Sequence, residues 1–207
     1  MKVKKTLDVM LGVGFILAFA VLVACAPVKN NISNQYKLES FGTVLAAKHL
    51  HMQSKHASII VTRPEAAAGY QSNQMLYMNK PHELTAFINN AWVDPPADML
   101  LPLIVRSLQT SGYFYAVASS PMSGNADYYL DVQLIELQQN FIKRPSYIDL
   151  IVKVVLTRTV DDKVIASRII HKSVRCPYDT PYGGVIAANQ ATKNFTMDLM
   201  KFIVHYI

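Results

Sequence analysis

The sequence is poor in the residue patterns on which most enzymes and nucleic-acid-binding proteins depend. Charged residues make up 16% of its 207 residues, and the 20 Lys and Arg residues form no dense basic run, which argues against nucleic-acid binding. It has no Gly-x-Ser-x-Gly nucleophile elbow and no P-loop lysine. Its closely spaced acids stand where they have structural roles: Asp94 and Asp98 at a helix start, and Asp161-Asp162 in a turn. We therefore predict no catalytic residue, no bound cofactor and no enzymatic activity.

Cysteine is also scarce, with two residues in the chain, Cys25 and Cys176. Cys25 lies at the end of an N-terminal segment with the three parts of a secretory signal. Lys2, Lys4 and Lys5 precede an uncharged, mostly apolar run from residue 9 to 24, which closes on Leu-Val-Ala-Cys. Those four residues resemble the lipobox of bacterial lipoproteins, in which the chain is cut before the cysteine. We predict a signal peptide over residues 1–24 and lipid attachment at Cys25, which serves as the anchor in place of any cofactor.

Two other interpretations of this segment stay open. The apolar run is shorter than the ~20 residues that a membrane-spanning helix needs, yet it could act as an uncleaved signal anchor. Cys25 could also pack as a small hydrophobic residue. A lipobox implies three acyl chains, palmitate among them, and several chains hold a protein durably. Ala26 stands where an Asp would favour retention at the inner membrane. The predicted location is therefore the periplasmic face of the outer membrane, with the inner membrane as the alternative.

Removal of residues 1–24 leaves 183 residues, a length typical of one domain. Residues 25–34 are polar and rich in turn formers, so we predict a lipidated tether there and a folded domain over 35–207. The mature chain holds 17 basic and 13 acidic residues and carries a net charge of +4. If Cys25 is lipidated, Cys176 has no disulfide partner in the chain, and we predict an inert, buried thiol.

Hydrophobic periodicity predicts an α/β fold. Period-two alternation over 128–134, 148–156 and 164–174 predicts three long strands joined as an antiparallel meander. Helical spacing predicts a long C-terminal helix and two earlier ones, with Gly112 as a C-terminal cap. We expect a single domain with a mixed or antiparallel sheet on which the C-terminal helix and a middle helix pack. The helices are predicted over 82–93, 97–111 and 183–207, and the shorter strands over 36–41, 57–64, 75–78 and 113–118.

The order of these landmarks resembles a known family. After the lipobox come Tyr36-x-Leu38, Ile59-x-Val61 ending near Pro64, Met75-x-Tyr77, Trp92 with Pro96, Leu108-x-x-Ser-Gly-Tyr-Phe114, Ala126-Asp-Tyr-x-Leu130 and Ala187-Ala-Asn-Gln-Ala191. Together they resemble the ABC-type transport auxiliary lipoproteins, the group that includes the paraquat-inducible lipoprotein component. The resemblance extends over nearly the whole mature chain.

The resemblance implies an accessory role in moving lipids or hydrophobic compounds between two membranes. Its implied partners are the membrane, an MCE-type substrate-binding protein and ABC transporter subunits, and the sequence leaves homo-oligomer formation open. The rival interpretation is an envelope-assembly or secretion-system lipoprotein that acts as a structural adaptor. A periplasmic hydrolase would need convergent polar groups in a deep pocket.

Two groups of residues remain as candidates for binding. His49, His51 and His56 have a spacing that could hold zinc or copper, but Lys48 and Lys55 add positive charge, so we expect a solvated loop and no metal site.

The second group is aromatic. Rigid aromatic side chains contribute strongly to protein interfaces. Five of them lie outside the clear core stripes and are candidate partner contacts, with packing in the core or on the sheet as the alternative: Trp92, Tyr113, Tyr115, Tyr178 and Tyr182.

Overall fold

A computed structural model describes residues 34–39, 57–121 and 124–207. The predicted signal peptide, Cys25 and all but the last residue of the tether lie outside the described residues, as do the three clustered histidines. Within the described part, nine strands form one mixed sheet with two helices. In chain order these are β1 (Asn34–Tyr36), β2 (Ser58–Val61), β3 (Glu65–Ala66), β4 (Gln74–Lys80), β5 (Glu83–Trp92), α1 (Pro96–Thr110), β6 (Ala116–Ser119), β7 (Tyr128–Asn140), β8 (Tyr147–Arg158), β9 (Lys163–Arg175) and α2 (Pro181–Tyr206).

The predicted antiparallel meander is confirmed as β7, β8 and β9. Strand β7 pairs with β8 from Tyr128 opposite Arg158 to Asn140 opposite Tyr147, and β8 pairs with β9 along its whole length. Apolar residues alternate along β8, where Leu150 and Val152 are fully buried at every second position. Because successive side chains of a strand point to opposite faces, this period places the apolar set on one face of the sheet.

The second edge of β7 is shared by three shorter strands, all parallel to it. Its beginning pairs with β2, its middle with β3 and its end with β4. The sheet then continues as two wings, from β2 to β6 at one end and from β4 through β5 to β1 at the other. Strand β1 is parallel to β5 and therefore antiparallel to β7. The chain consequently enters β1 from the end of the sheet where β7 finishes.

Both helices cover the apolar face of the sheet and contact each other. Helix α2 buries Phe195, Leu199 and Phe202 in a single core that also includes Leu150 of β8. Two polar contacts fix this helix on β9: Lys172 pairs with Asp198, and the Arg168 guanidinium lies 5.0 Å from the centre of the Phe202 ring. The predicted long C-terminal helix packed on the sheet is confirmed.

Helix α1 agrees with the predicted middle helix. It begins at Pro96, and its Leu100, Ile104 and Leu108 are fully buried. Pro102 lies within the helix on its exposed side. Gly112 follows the helix with a φ of +67°, a left-handed conformation that glycine adopts without strain, as predicted for its C-terminal end.

The prediction of a helix over 82–93 is wrong, because residues Glu83–Trp92 form strand β5. Its apolar residues at three- and four-residue intervals imitate a helix, but the hairpin with β4 decides the structure. The turn at Pro81 and His82, where His82 has a φ of +66°, joins the two strands, and the Tyr77 and Phe87 rings pack 4.4 Å apart. Leu84 and Ile88, which a helix would have buried, are exposed.

Candidate functional site

Two of the five aromatic residues predicted as partner contacts lie in the core. Trp92 is 2% exposed and Tyr113 is 1% exposed, and both belong to the main core cluster. Trp92 is the last residue of β5, and the Tyr113 ring packs edge-on against Phe114 after α1. Their side chains cannot reach a partner on the surface, so the prediction is wrong for these two residues. Tyr115, Tyr178 and Tyr182 are exposed.

The described residues hold no metal-binding cluster of three or more His, Cys, Asp or Glu. The candidate histidines, His49, His51 and His56, and the lipid-attachment residue, Cys25, fall outside the described residues. The grooves found on the described part of the surface are open. One of about 330 Å³ lies between Arg63, Asp131 and Lys153 on the polar face of the sheet.

The end of the sheet at which β7 and β9 finish and α2 begins is called the entry end. It comprises the loops 141–146 and 176–180 and the first two turns of α2. The two loops are joined by hydrogen bonds: the Ser146 backbone N–H donates to Asp179 Oδ1 at 2.6 Å, and the Cys176 N–H donates to the Ser146 carbonyl at 2.8 Å. The entry end is therefore a connected unit in which each loop supports the other.

Gln139, near the end of β7, lies buried at the centre of this unit. Its amide Nε2 donates to Ser146 Oγ at 3.0 Å and to the Thr180 carbonyl at 3.2 Å, and it lies 3.6 Å from Cys176 Sγ. Its Oε1 is buried without a hydrogen-bond partner in the structure. The amide thus links the end of β7 to both loops and to the N-terminal cap of α2.

Two successive glycines, Gly183 and Gly184, allow α2 to begin this close to its neighbours. A Cβ on Gly183 would stand 2.1 Å from the Tyr178 carbonyl oxygen, and one on Gly184 would stand 2.4 Å from Gln139 Oε1. The Thr180 side chain caps the helix by accepting from the Gly183 N–H at 3.1 Å.

Cys176 is confirmed as a buried thiol, with 1% of its surface exposed. Burial raises the pKa of the thiol, which keeps it protonated near neutral pH. The group therefore takes part in packing and weak hydrogen bonding within the entry end.

The surface of the entry end combines aromatic and apolar side chains. Tyr178 is 62% exposed, Tyr182 is 56% exposed and Ile186, one helical turn after Tyr182, is 40% exposed. The Tyr182 ring lies 6.0 Å from that of Tyr36 in β1. Sequence analysis named Tyr178 and Tyr182, and the fold brings these two together beside the point where the chain enters the domain.

Exposed cations also lie on and beside the two loops of the entry end. Lys143, Arg144 and Arg175 have no carboxylate within ion-pair distance among the described residues. Two acids lie near them: Asp179, and Asp149, which lines the same groove as Lys143. Hydrogen bonds from Ser146 lower the pKa of the Asp179 carboxyl, with Arg144 and Arg175 acting in the same direction. Sequence analysis did not identify these cations. The signal that could have identified two of them is the Lys143-Arg144-Pro145 sequence, which is typical of an exposed basic turn.

Tyr115 lies at the opposite end of the sheet, which we call the far end. Its N–H donates to the Ala57 carbonyl at 3.1 Å, and it is 67% exposed. A groove of about 550 Å³ lies there between Tyr128, Arg158 and Val160, of which Val160 is 87% exposed. Strand β7 extends from this end to the entry end, a contour of about 40 Å at ~3.3 Å for each residue step. Tyr115 is therefore separated from Tyr178 and Tyr182.

A family model for the ABC-type transport auxiliary lipoprotein component matches residues 36–199. The chain belongs to this family. The match begins at Tyr36, the last residue of β1, and ends within α2, so it covers strands β2 to β9, helix α1, the entry end and most of α2. A search of curated proteins returns no match. Among the described residues, no helix is long and apolar enough to cross a membrane.

Three solved structures share the fold of this family member. Protein XCC0632 from Xanthomonas campestris has a TM-score of 0.67 and 20% sequence identity, with 81% of this chain and 91% of that one covered. An uncharacterized protein has the same TM-score and 14% identity, with 84% and 99% covered. The protein CT253 from Chlamydia trachomatis has a TM-score of 0.51 and 9% identity, with 73% and 98% covered.

Proposed function

We propose that this protein is the lipid-anchored periplasmic component of an MCE-type ABC transport system that moves lipids or other hydrophobic compounds between the two membranes. The observation that carries the proposal is the family match over residues 36–199, which begins 11 residues after the lipobox cysteine, Cys25. Its role is docking and positioning, without bond chemistry. The anchor lies in the outer membrane, as the Ala at position 26 favours.

The physical need for such a component follows from the cost of exposing a lipid to water. Each exposed CH₂ group costs ~0.8 kcal/mol, so acyl chains must stay shielded while they cross the periplasm. A transporter that shields them needs a fixed docking point at the far membrane. A globular domain held by several acyl chains supplies one, because several chains together resist dissociation where a single chain gives only marginal binding.

The described surface supports docking in preference to carrying cargo. The grooves at the far end and on the polar sheet face are open and have charged linings that include Arg158, Arg63 and Asp131. An acyl chain requires an enclosed apolar cavity to stay shielded. We therefore assign the lipid-shielding path to the MCE-type partner and the docking surface to this domain.

Tyr115 at the far end is the residue we propose as a contact with that partner. It is 67% exposed and stands beside the groove between Tyr128 and Val160. An exposed aromatic residue beside a groove is the arrangement from which interface anchors are built. The far end is also the part of the domain that projects from the membrane if the tether fastens the entry end.

Affinity purification of the full-length protein from detergent-solubilised membranes tests the proposal. We expect permease, ATPase and MCE subunits to copurify, and we expect Tyr115→Ala to recover less of them than the wild type. Ile169→Ala is the matched control, because Ile169 is a comparably exposed apolar residue on β9. Recovery of envelope-assembly or secretion proteins in their place would support the adaptor interpretation and refute the transport role.

The anchor requires a separate test. Intact-mass analysis of the mature protein is expected to show loss of residues 1–24 and a mass increase at Cys25 that corresponds to acyl chains. The Cys25→Ala variant is expected to lose membrane attachment. An unmodified Cys25 on a chain that retains its leader would contradict the lipoprotein assignment.

A further inference from the structure

We propose that the entry end of the domain rests on the anionic headgroups of the membrane that holds the anchor. In this arrangement Tyr178 and Tyr182 lie in the headgroup region, and Lys143, Arg144 and Arg175 face lipid phosphates. The inference rests on the proposed lipid anchor at Cys25 and adds to it a fixed orientation of the domain.

The first argument is the short path from the anchor to the fold. Nine residue steps separate Cys25 from Asn34, the first residue of β1, and they span about 30 Å when fully extended. The chain enters β1 from the side of the sheet where β7 finishes. The tether therefore keeps Asn34 within about 30 Å of the anchor, while the far end lies about 40 Å from the entry end along β7.

The second argument is the chemistry of the surface that the tether brings to the membrane. Tyrosine has an apolar ring and a polar hydroxyl, a combination that favours the boundary between lipid and water. Tyr178, Tyr182 and Ile186 together expose such groups at the start of α2. The hydrogen bonds of Ser146 and Gln139 hold the loop that carries Tyr178, so these side chains are presented on an ordered support.

The third argument is charge. Two lysines on the wing formed by β4, β5 and β1 are neutralised by ion pairs: Lys37 with Glu39 at 2.5 Å and Lys80 with Glu83 at 3.6 Å. Lys143, Arg144 and Arg175 have two acids near them, Asp179 and Asp149, of which Asp149 also contacts His171, so three cations outnumber two carboxylates at this end of the sheet. Anionic lipids attract cations placed within a Debye length of the surface, so the charge complements the predicted location of the anchor.

A protein partner on the same surface is the competing occupant, but two observations favour lipid. The tether keeps Asn34, at the entry end, within about 30 Å of the anchor, so lipid headgroups are within reach of this surface. Lys143 and Arg144 lie on one loop of the entry end and Arg175 directly precedes the other, so cations and exposed aromatic residues share this end, as is typical of surfaces that lie in the membrane interface. The aromatic groups would enter the headgroup layer while the cations stay level with the phosphates.

Fluorescence quenching by brominated lipids tests the orientation on the full-length, lipidated protein. Tyr182→Trp places a reporter at the entry end, and Tyr115→Trp places a matched reporter at the far end. The native Trp92 is buried in the core and gives the same background in both. The proteins are reconstituted into vesicles of phosphatidylethanolamine and phosphatidylglycerol that carry bromine on the upper part of the acyl chains.

We expect a loss of emission for Tyr182→Trp that Tyr115→Trp does not share. In the Tyr182→Trp protein, Lys143→Glu combined with Arg144→Glu should reduce that loss, whereas Lys163→Glu, at the start of β9 near the far end, should leave it unchanged. Equal quenching at the two reporters would overturn the proposal. So would an unquenched Tyr182→Trp that becomes shielded from aqueous acrylamide in native membranes alone, because a protein would then cover the surface.

Flotation of the same vesicles separates a failure of this inference from a failure of the anchor. A protein that floats with the vesicles but leaves Tyr182→Trp unquenched has its anchor and lacks the proposed orientation. A wild-type protein that does not float refutes the anchor and this inference with it.

Discussion

Replacement of Gly183 by alanine tests whether the start of α2 is as closely packed as the structure indicates. The new methyl group would stand 2.1 Å from the Tyr178 carbonyl oxygen, 2.9 Å from its carbon and 3.0 Å from the Tyr178 nitrogen. Carbon–oxygen contacts in proteins are rarely shorter than ~3.3 Å, so the helix and the loop must separate by about 1 Å. The obstructing atoms belong to the backbone and cannot rotate away.

The expected cost combines two opposing effects. Overpacking of this kind typically costs 1–3 kcal/mol, and the upper part of that range applies because Asp179 and Thr180 tie the same loop to Ser146 and Gln139. Alanine favours a helix over glycine by at most ~1 kcal/mol. We expect a net loss of about 2 kcal/mol in the free energy of unfolding, or about 4–8 °C in Tm for a domain of this size.

Urea unfolding followed by circular dichroism measures this loss. Gly124→Ala is the control, because a Cβ on Gly124 meets no atom within 4 Å, and its effect should stay within about 0.5 kcal/mol. If Gly183→Ala proves as stable as the wild type, the close approach of α2 to the 176–180 loop does not exist. If it proves more stable, helix propensity dominates and the packing argument fails.

Gly184→Ala extends the same test to a side chain. Its methyl group would stand 2.4 Å from Gln139 Oε1, and the amide can move aside only by weakening its bonds to Ser146 and Thr180. We expect a loss of about 1–2 kcal/mol. In a Gln139→Ala background the clash disappears, so the two losses should be less than additive in a double-mutant cycle.

Three further predictions concern the core, a carboxylate and the buried thiol. Leu150→Ala should lower the free energy of unfolding by about 3 kcal/mol, because the side chain is fully buried, whereas Ile169→Ala should change it by less than about 0.5 kcal/mol. Hydrogen bonds from the Ser58 N–H and hydroxyl lower the pKa of Asp127 below its ordinary 3.8. The stability they give is present above pH 3.8 and is lost as the pH falls through the lower, folded value, so Asp127→Asn should be less stable at neutral pH and should flatten the acid limb of urea-unfolding curves. Cys176 should react with Ellman's reagent in urea and resist it in the native protein, and rapid native labelling would contradict its burial.

The long elements of the fold were predictable because their sequence patterns extend over many residues. Strands β7, β8 and β9 are 12 or 13 residues long and alternate over 128–134, 148–156 and 164–174, and α2 is 26 residues long. Over such lengths the two-residue period of a strand can be distinguished from the 3.6-residue period of a helix. Strand β5 shows the opposite case, since ten residues with bulges toward β4 fit a helical spacing equally well and only the partner strand decides.

The candidate site was predicted in part. Tyr178 and Tyr182 were named as contacts because they are aromatic and stand in a polar loop, and both are exposed. The same reasoning failed for Trp92 and Tyr113, because composition cannot tell an aromatic residue at the end of a buried strand from one on the surface. Gln139 could not have been predicted, since its place in the entry end depends on loops distant in sequence.

The shared edge of β7 determines the order in which an emerging chain can assemble. A chain delivered from its N-terminus can join β1, β4 and β5 into one group and β2 and β6 into another, but these groups have no common partner until residues 128–140 arrive. The two groups can therefore join only when β7 arrives, after more than half of the chain has been made, and β8 and β9 are added after it. Under the export that we propose for this protein, the order is an advantage, because no complete sheet can form before the strand that joins the two groups.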